Sequence, residues 1–379
     1  MKQQLRVPKK PPMKTSKKIW ITILILFLVI VGCAGGYVVY MSVNYYRIAD
    51  NTSLDVGNNQ VNRIKSGQKY SVVTWNTGFG AYNQDFSFFM NSGEMKDGTK
   101  VTGKSSRAAS SEVVEDDTNG DIKDLKVLNP DFTLLQEVDQ DSTRSWHINM
   151  VQMFEDAFPD QANVFANNFH SAYLLYPFNE PHGSVQAGLL SLSKFKITDA
   201  TRMSYPVDES FFIKFTDLDR CFSVNRIPVE GTDKQLVLIN SHMSAYDKDG
   251  TIRTEQMKVL SDYIGSEYDK GNYVIIGGDF NQVLTGKKDS FSSDMNVPSW
   301  VADFDSSLLP DGFSVVDASN ASKVPTVRSS DIPWQEGVTY TTIVDGFIVS
   351  GNVEATAENI DTDFAYSDHN PVQLTFSLK

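Results

Sequence analysis

Residues 19–46 contain no charged side chain, and residues 19–31 are almost wholly aliphatic. Residues 37–43 continue the apolar run past the small residues Gly32-Cys33-Ala34-Gly35-Gly36. About 20 apolar residues span a bilayer, so residues 19–46 read as a transmembrane signal anchor. Beyond this run the pattern changes to short apolar stretches punctuated by turns. Residues 70–76 (Tyr-Ser-Val-Val-Thr-Trp-Asn) and 131–137 (Asp-Phe-Thr-Leu-Leu-Gln-Glu) read as buried strands, each running into a polar residue. Further strands are expected at 172–176, 187–192, 211–215, 221–228, 235–240, 273–278, 339–350 and 371–378. Glu230-Gly231-Thr232-Asp233 is a hairpin turn between two of them. Helical spacing appears at 147–157 and 251–268. In the second, Ile252, Gln256, Val259, Leu260 and Tyr263 share a face. Many strands and few helices predict an α/β fold of two packed, mainly antiparallel sheets flanked by helices.

The segments between these elements complete the organisation. Residues 47–68 are polar, rich in Asn and Gly, and read as a juxtamembrane linker. Residues 91–121 read as an exposed insertion with a helix beginning near Arg107. Its triplet Glu115-Asp116-Asp117 is expected to form a solvated face. The domain proper is then 69–379.

Charge sharpens the picture at the N-terminus. Residues 1–18 hold Lys2, Arg6, Lys9, Lys10, Lys14, Lys17 and Lys18 and no acid, forming a basic tail. The next cation is Arg47. The positive-inside bias puts this tail in the cytoplasm and the remainder outside it, in a single-pass arrangement. A cleaved signal peptide and a lipoprotein are the competing readings, since Ile30-Val31-Gly32-Cys33 resembles a bacterial lipobox. All three place the domain extracytoplasmically. The whole chain carries −13, so residues 19–379 carry −20. Such a domain lacks the broad basic footprint of a duplex-binding protein, which disfavours nucleic acid as partner without excluding a nuclease. With two cysteines, Cys33 and Cys221, neither a disulfide framework nor a zinc–cysteine site is expected.

The candidate chemistry lies where apolar strands end. Asn76, Glu137, His242, Asp279 with Asn281, Asp345, and Asp368 with His369 each follow such a run. Strand ends gather distant residues on one rim of a sheet, and functional residues concentrate there. Singly, each has a structural explanation as a turn former, a surface acid or a buried histidine.

Together the segments resemble the endonuclease/exonuclease/phosphatase superfamily, whose members include DNase I-like nucleases and several phosphatases. The motifs are Thr74-Trp75-Asn76, Leu135-Gln136-Glu137-Val138, Asn240-Ser241-His242-Met243, Gly277-Gly278-Asp279-Phe280-Asn281, Val344-Asp345-Gly346-Phe347-Ile348-Val349-Ser350 and Ser367-Asp368-His369-Asn370-Pro371-Val372. They run in the family's order over about residues 70–379. The resemblance implies a DNase I-like four-layer sandwich and a metal-dependent phosphoester hydrolase. It implies Glu137 as leading metal ligand with Asn76 and Asp368 beside it. Asp279 becomes the water-orienting base and Asn281 a neutral donor. His369 faces the phosphoryl group, with Asp345 fixing its tautomer, and His242 is a second phosphate-facing histidine. The implied cofactor is Mg²⁺, with Mn²⁺ or Ca²⁺ as alternatives, because hard cations take oxygen ligands.

The chain departs from some relatives at Asn168-Phe169-His170-Ser171-Ala172-Tyr173, where no acid stands to support His242. Arg107 and Arg144 are weaker candidates as phosphate-side cations, and Tyr173 and His170 as substrate contacts. His147 and His182 read as surface residues. The substrate stays open between nucleic acid, a phospholipid headgroup and a small phosphate ester. A catalytically inactive relative acting as a surface-binding module is the reading from a different class.

Overall fold

Apolar residues alternate between two buried faces along the central strands. Val72, Phe132, Leu134, Leu238, Ile275 and Phe347 meet in one core, whereas Val73, Trp75 and Leu135 meet helices in a second, and Val237, Ile239, Val274 and Ile276 meet a helix in a third. Strands buried on both faces read as near-continuous apolar runs, as these do. The computed structural model describes residues 15–245 and 250–379. Most of the basic tail therefore lies outside the described residues.

The chain divides into two units, ending and beginning at Tyr45 and Tyr46. The first is built on helix α1 (Thr15–Asn44), 30 residues long and apolar enough to cross a membrane. At 1.5 Å per residue it reaches about 45 Å.

The second unit is a sandwich of two sheets. One has the order β1 (Thr52–Ser53), β8 (Asp199–Ser204), β9 (Cys221–Pro228), β10 (Gln235–His242), β11 (Tyr273–Asp279), β15 (Asp345–Ser350) and β12 (Phe313–Val315). The other runs β16 (Val353–Asn359), β17 (Val372–Leu378), β2 (Lys69–Asn76), β5 (Phe132–Asp139), β7 (Gly183–Ser193) and β6 (Ala162–Leu174). Pairing is antiparallel except between β10 and β11 and between β2 and β5. Two short pairs, β3 (Ser92–Glu94) with β4 (Lys100–Thr102) and β13 (Val327–Arg328) with β14 (Thr341–Thr342), complete the strands. Helices α2 (Ser111–Leu128) and α3 (Met150–Ala157) cover the six-stranded sheet, and α4 (Thr251–Asp269) covers the other. This is the expected four-layer architecture.

Two glycines set the spacing beside the site. A Cβ on Gly277 would stand 2.5 Å from the Phe347 ring and 2.9 Å from Leu134 of the facing sheet. A Cβ on Gly278 would stand 2.0 Å from the Ser241 carbonyl oxygen on the neighbouring strand. The sequence Gly277-Gly278-Asp279 thus lets β11 lie tightly against its surroundings up to the acid.

Several segments differ from the sequence reading. Residues 47–68 are no linker: β1 pairs with β8, Gly57 bridges Asn163, and Ile64 is buried in the core between the sheets. Residues 211–215 are not a strand but a turn ending in a short 3₁₀ segment (Ile213–Phe215), with Phe211 and Phe212 exposed. The strand expected at 172–176 is the tail of the much longer β6. The strand expected at 339–350 is two: the short β14 and, after a break at Ile343-Val344, β15 from Asp345. The helix expected from Arg107 starts at Ser111, where Ser110 Oγ accepts from the Val113 amide, a standard N-cap. Within it Asp117 is buried rather than solvated. On α4, Met257 and Ile264 join the expected Leu260 in the buried apolar contact, Val259 and Tyr263 pack partly buried against it, and Ile252 takes no part in it. His182 is buried, its Nδ1 2.6 Å from the Ser106 carbonyl. Burial, and then the charge of Arg144, brings its pKa down to about 4.

One ion pair at the outer end of α4 makes the fold sensitive to acid. Arg226 grips Glu267 through Nη1–Oε2 and Nη2–Oε1 contacts of 2.9 Å each, and Lys270 and Asn272 donate to the same carboxylate. Burial pushes the Glu267 pKa up, but these donors outweigh it and hold it at about 2, against 4.5 ordinarily. A carboxyl depressed in the folded state contributes stability above its unfolded pKa and loses it as pH falls through the folded one. The melting temperature of Glu267→Gln should therefore lie below that of the wild type near neutrality, and the gap should close between about pH 4.5 and 2. Melting curves that stay equally far apart down to pH 2 would show that the ion pair has no such role.

Candidate active site

The strand-end residues meet at one rim of the sandwich. Asn76 closes β2, His242 closes β10, Asp279 closes β11, and Asp345 opens β15 directly opposite Asp279 in register. Asp368 and His369 lie on the loop entering β17. That loop is tied down by Trp75 Nε1 donating to the His369 carbonyl at 2.8 Å and Ser367 Oγ donating to the Asn76 carbonyl at 2.7 Å.

Glu137 reaches the rim differently. β5 does not end there: it continues to Asp139, and its pairing with β7 slips between Leu135 and Val138. Glu137 sits in this bulge with φ +55°, a left-handed conformation uncommon for a side chain of its kind. A bulge re-aims a side chain out of the regular pleat. Here it frees the Glu137 carboxylate to face Asn76 and His242.

Asp279 is the hub. Its Oδ2 accepts from Asn76 Nδ2 at 3.1 Å and from Asn281 Nδ2 at 3.2 Å, and its Oδ1 accepts from the Asn281 amide at 2.8 Å. The Nε2 atoms of His242 and His369 stand 3.4 and 3.9 Å from the same Oδ2. Glu137 Oε1 lies 3.3 Å from Asn76 Nδ2 and 4.0 Å from His242 Nε2. On the far side His369 Nδ1 meets Asp345 Oδ2 at 2.9 Å. Two backbone amides, of Val344 and Asp345, donate to Thr326 Oγ1 and fix the start of β15.

The two histidines differ in charge. Burial disfavours the imidazolium at His369, but Asp345, with Asp279 and Asp368 beyond it, outweighs burial and pushes its pKa up to about 10. His369 is therefore cationic at neutral pH. His242 is driven the other way, first by burial and then by Arg220, His369 and Arg144. It is neutral, and its buried Nδ1 has no hydrogen-bond partner among the described residues, which matches the lack of a supporting acid in the sequence. Burial and the neighbouring Asp345 raise the Asp279 pKa. Burial, with Glu137 adding to it against His369 and Arg328, pushes Asp368 up to about 7.

Beneath the rim a buried polar bridge joins the sheets. Gln136 Nε2 donates to Thr74 Oγ1 and to Asn240 Oδ1, and Asn240 Nδ2 donates to the Leu135 carbonyl. Asn281 is held from outside by Arg253, whose Nη1 donates to its carbonyl at 2.8 Å. Arg328, fully buried, donates to the Tyr82 and Asn83 carbonyls and acts electrostatically on Asp368. Sequence reasoning missed Thr326, Arg253 and Arg328, because each lies in a segment without a strand-end pattern. A buried arginine carries no local signal of its burial.

The remaining candidates stand apart from the hub. Arg144 is buried, with Nε and Nη2 bonded to Asp139 at 3.1 and 2.8 Å and its guanidinium 4.0 Å above the Phe79 ring. Its fork is committed to Asp139, so it is an internal counter-ion rather than a phosphate-facing cation. Arg107 stacks on Trp146 at 4.7 Å and stands 3.9 Å from Glu180. Tyr173 lies near the end of β6 and is partly exposed, and His170 stacks on Tyr46 at 4.0 Å.

Asp279, Asp345 and His369 present one ligand atom each within 4.8 Å of one another, a grouping able to hold a metal ion. Four carboxylates converge on this rim, and His369 and the buried Arg328 and Arg144 are cations that act on them. Such an excess of negative charge suits a divalent cation.

The sandwich and its acid-and-histidine rim are the architecture of a phosphoester hydrolase. Residues 73–369 match the endonuclease/exonuclease/phosphatase family, and the chain belongs to that family. No curated protein sequence matches it. Among solved structures it is similar to an endonuclease/exonuclease/phosphatase from Beutenbergia cavernae, at 14% identity and a TM-score of 0.55, covering 82% of this chain and 72% of that one. It is also similar to a family protein from Leptotrichia buccalis, at 14% identity and 0.52, covering 82% and 100%. A third is D. rerio TDP2 complexed with a single-strand DNA product, at 14% identity and 0.51, covering 82% and 99%. At these identities the likeness is one of fold.

Proposed function

We propose that this chain is a membrane-anchored, extracytoplasmic, Mg²⁺-dependent phosphoester hydrolase. The observation that carries the reading is the convergence on Asp279 Oδ2 of a neutral and a cationic histidine, with Glu137 and Asn76 on one side. Asp279 orients and deprotonates the attacking water, and Asn281 and Asn76 hold its carboxylate in place. His369, kept cationic by Asp345, donates to the phosphoryl oxygens as charge builds on them. His242, neutral, offers a second nitrogen toward the same oxygens.

Glu137, Asn76 and Asp368 would hold the cation. The Asp279–Asp345–His369 grouping is the weaker alternative, because His369 gives Nδ1 to Asp345 and an imidazolium is no ligand. The bound ion supplies Lewis-acid neutralisation of the phosphoryl oxygens.

The apolar helix α1, preceded by the basic tail, supports a single-pass anchor with a cytoplasmic N-terminus. A nuclease is the second reading, supported by the DNA product in the D. rerio structure. The −20 charge of residues 19–379 weighs toward a small or lipid-linked phosphoester instead.

The test is hydrolysis of bis-p-nitrophenyl phosphate by the purified full chain with Mg²⁺ and with EDTA, followed by DNA, lipid and nucleotide substrates. Turnover abolished by EDTA is expected. If none of these substrates turns over with any divalent ion, the protein is an inactive, binding relative.

A further inference from the structure

The inner face of α2 carries acids where an amphipathic helix carries apolar residues. Asp117 and Asp121 are one turn apart, and both are buried, at 4% and 0% exposure. Residues four apart on a helix lie on one face. Both carboxylate oxygens of Asp121 lack a hydrogen-bond partner. Asp117 accepts from Asn83, through Nδ2 at 3.2 Å and through the backbone amide. Among the described residues no arginine, lysine or histidine acts on either carboxyl. The groups acting on Asp121 are Asp117 and Asp124, which add negative charge. Those acting on Asp117 are Asn83 and Asp116.

An isolated buried carboxylate is costly and is neutralised by a proton or a counter-ion. Burial does push both carboxyls up, Asp117 to about 8. A proton removes the charge and still leaves the carbonyl oxygen of Asp121 without a donor. A hard cation satisfies oxygens and charge together.

We propose that Asp117 and Asp121 form a second divalent-cation site on α2, separate from the catalytic rim, and that its ion braces the loop bearing Asp368 and His369. The route is short. Gly120, between the two acids, packs so closely on Tyr366 that a Cβ there would fall 2.5 Å from the ring. Tyr366 stands two residues before Asp368. A second route runs from Asp117 to Asn83, whose carbonyl accepts from Arg328 at 2.8 Å, and Arg328 acts on Asp368. The ion therefore sits behind the catalytic loop and sets its stiffness without meeting substrate.

The experiment counts Mn²⁺ bound per full-length chain in detergent micelles, by equilibrium dialysis and electron paramagnetic resonance. Asp121→Asn should bind one ion fewer than the wild type, and combining it with Glu137→Gln should remove a further one. Ca²⁺ should raise the wild-type melting temperature more than that of Asp121→Asn. An Asp121→Asn protein that binds as many ions as the wild type overturns the site, and a higher melting temperature alongside would identify Asp121 as a merely buried acid. Should that variant not fold, Asp117→Asn gives the same reading. Loss of ions in Glu137→Gln alone bears on the catalytic reading and leaves this one intact.

Discussion

Asp279→Asn should lower kcat on a phosphodiester by about 10²–10⁴-fold, the usual worth of a positioned general base. The carboxylate receives Asn76, Asn281 and the Asn281 amide, so its orientation is fixed before substrate arrives. An asparagine keeps that shape and loses the ability to take a proton. Melting should move little, because the carboxyl is buried beside Asp345 and its removal relieves that repulsion. His369→Ala should give a comparable loss by a different route. It removes the imidazolium and leaves Asp345 without the cation that offsets it. The measurement is kcat together with the melting temperature. A near-wild-type rate in either variant removes the role assigned to that residue, and a collapsed melting curve shows that the residue is structural.

The second large effect is on folding. Gly278→Ala should destabilise the protein by about 3 kcal/mol or more, above the usual cost of overpacking. The added carbon would fall 2.0 Å from a backbone carbonyl, which cannot swing aside as a side chain can. Relief requires β10 and β11 to separate where His242 and Asp279 are paired. Gly265→Ala is the matched control. It lies inside α4 with its nearest neighbour 3.5 Å away, an ordinary contact, and alanine there should stabilise by about 0.5–1 kcal/mol. Chemical denaturation of both variants separates the two outcomes. Equal shifts would mean that the close approach of β10 and β11 is not what demands glycine at 278.

Much of this is legible in the sequence alone. The strands that bear Asn76, His242 and Asp279 are long apolar runs with abrupt polar ends, and both features survive reading in one dimension. Helix α4 is legible for the same reason, its ends falling within one residue of expectation. What was not legible depends on three-dimensional surroundings that the local pattern does not show. The inner face of α2 looks solvated because two of its buried positions, Asp117 and Asp121, are acids. Residues 47–68 look like a linker because their pairing partners, β8, Asn163 and Val229, lie more than a hundred residues away. Phe211 and Phe212 look like strand core and are exposed. Arg144 looks free until Asp139, five residues earlier, is seen to face it. Glu137 was identified as the end of a strand, yet it is an interruption within one.

That interruption bears on which changes of length the protein tolerates. Across the bulge Leu135 and Val138 face the same helices, although three positions in a regular strand would put them on opposite sides. β5 therefore contains one residue more than its neighbour at this point, and the extra residue hands over from one pleat phase to the other. Losing a single codon between Leu135 and Val138 would leave composition almost unchanged and give a smoother strand. It would also turn Asp139 away from Arg144 or withdraw the Glu137 carboxylate from the rim, depending on which half of the strand yields. The reading frame of the pleat, as much as the identity of the acid, is what homologous insertions and deletions must preserve here.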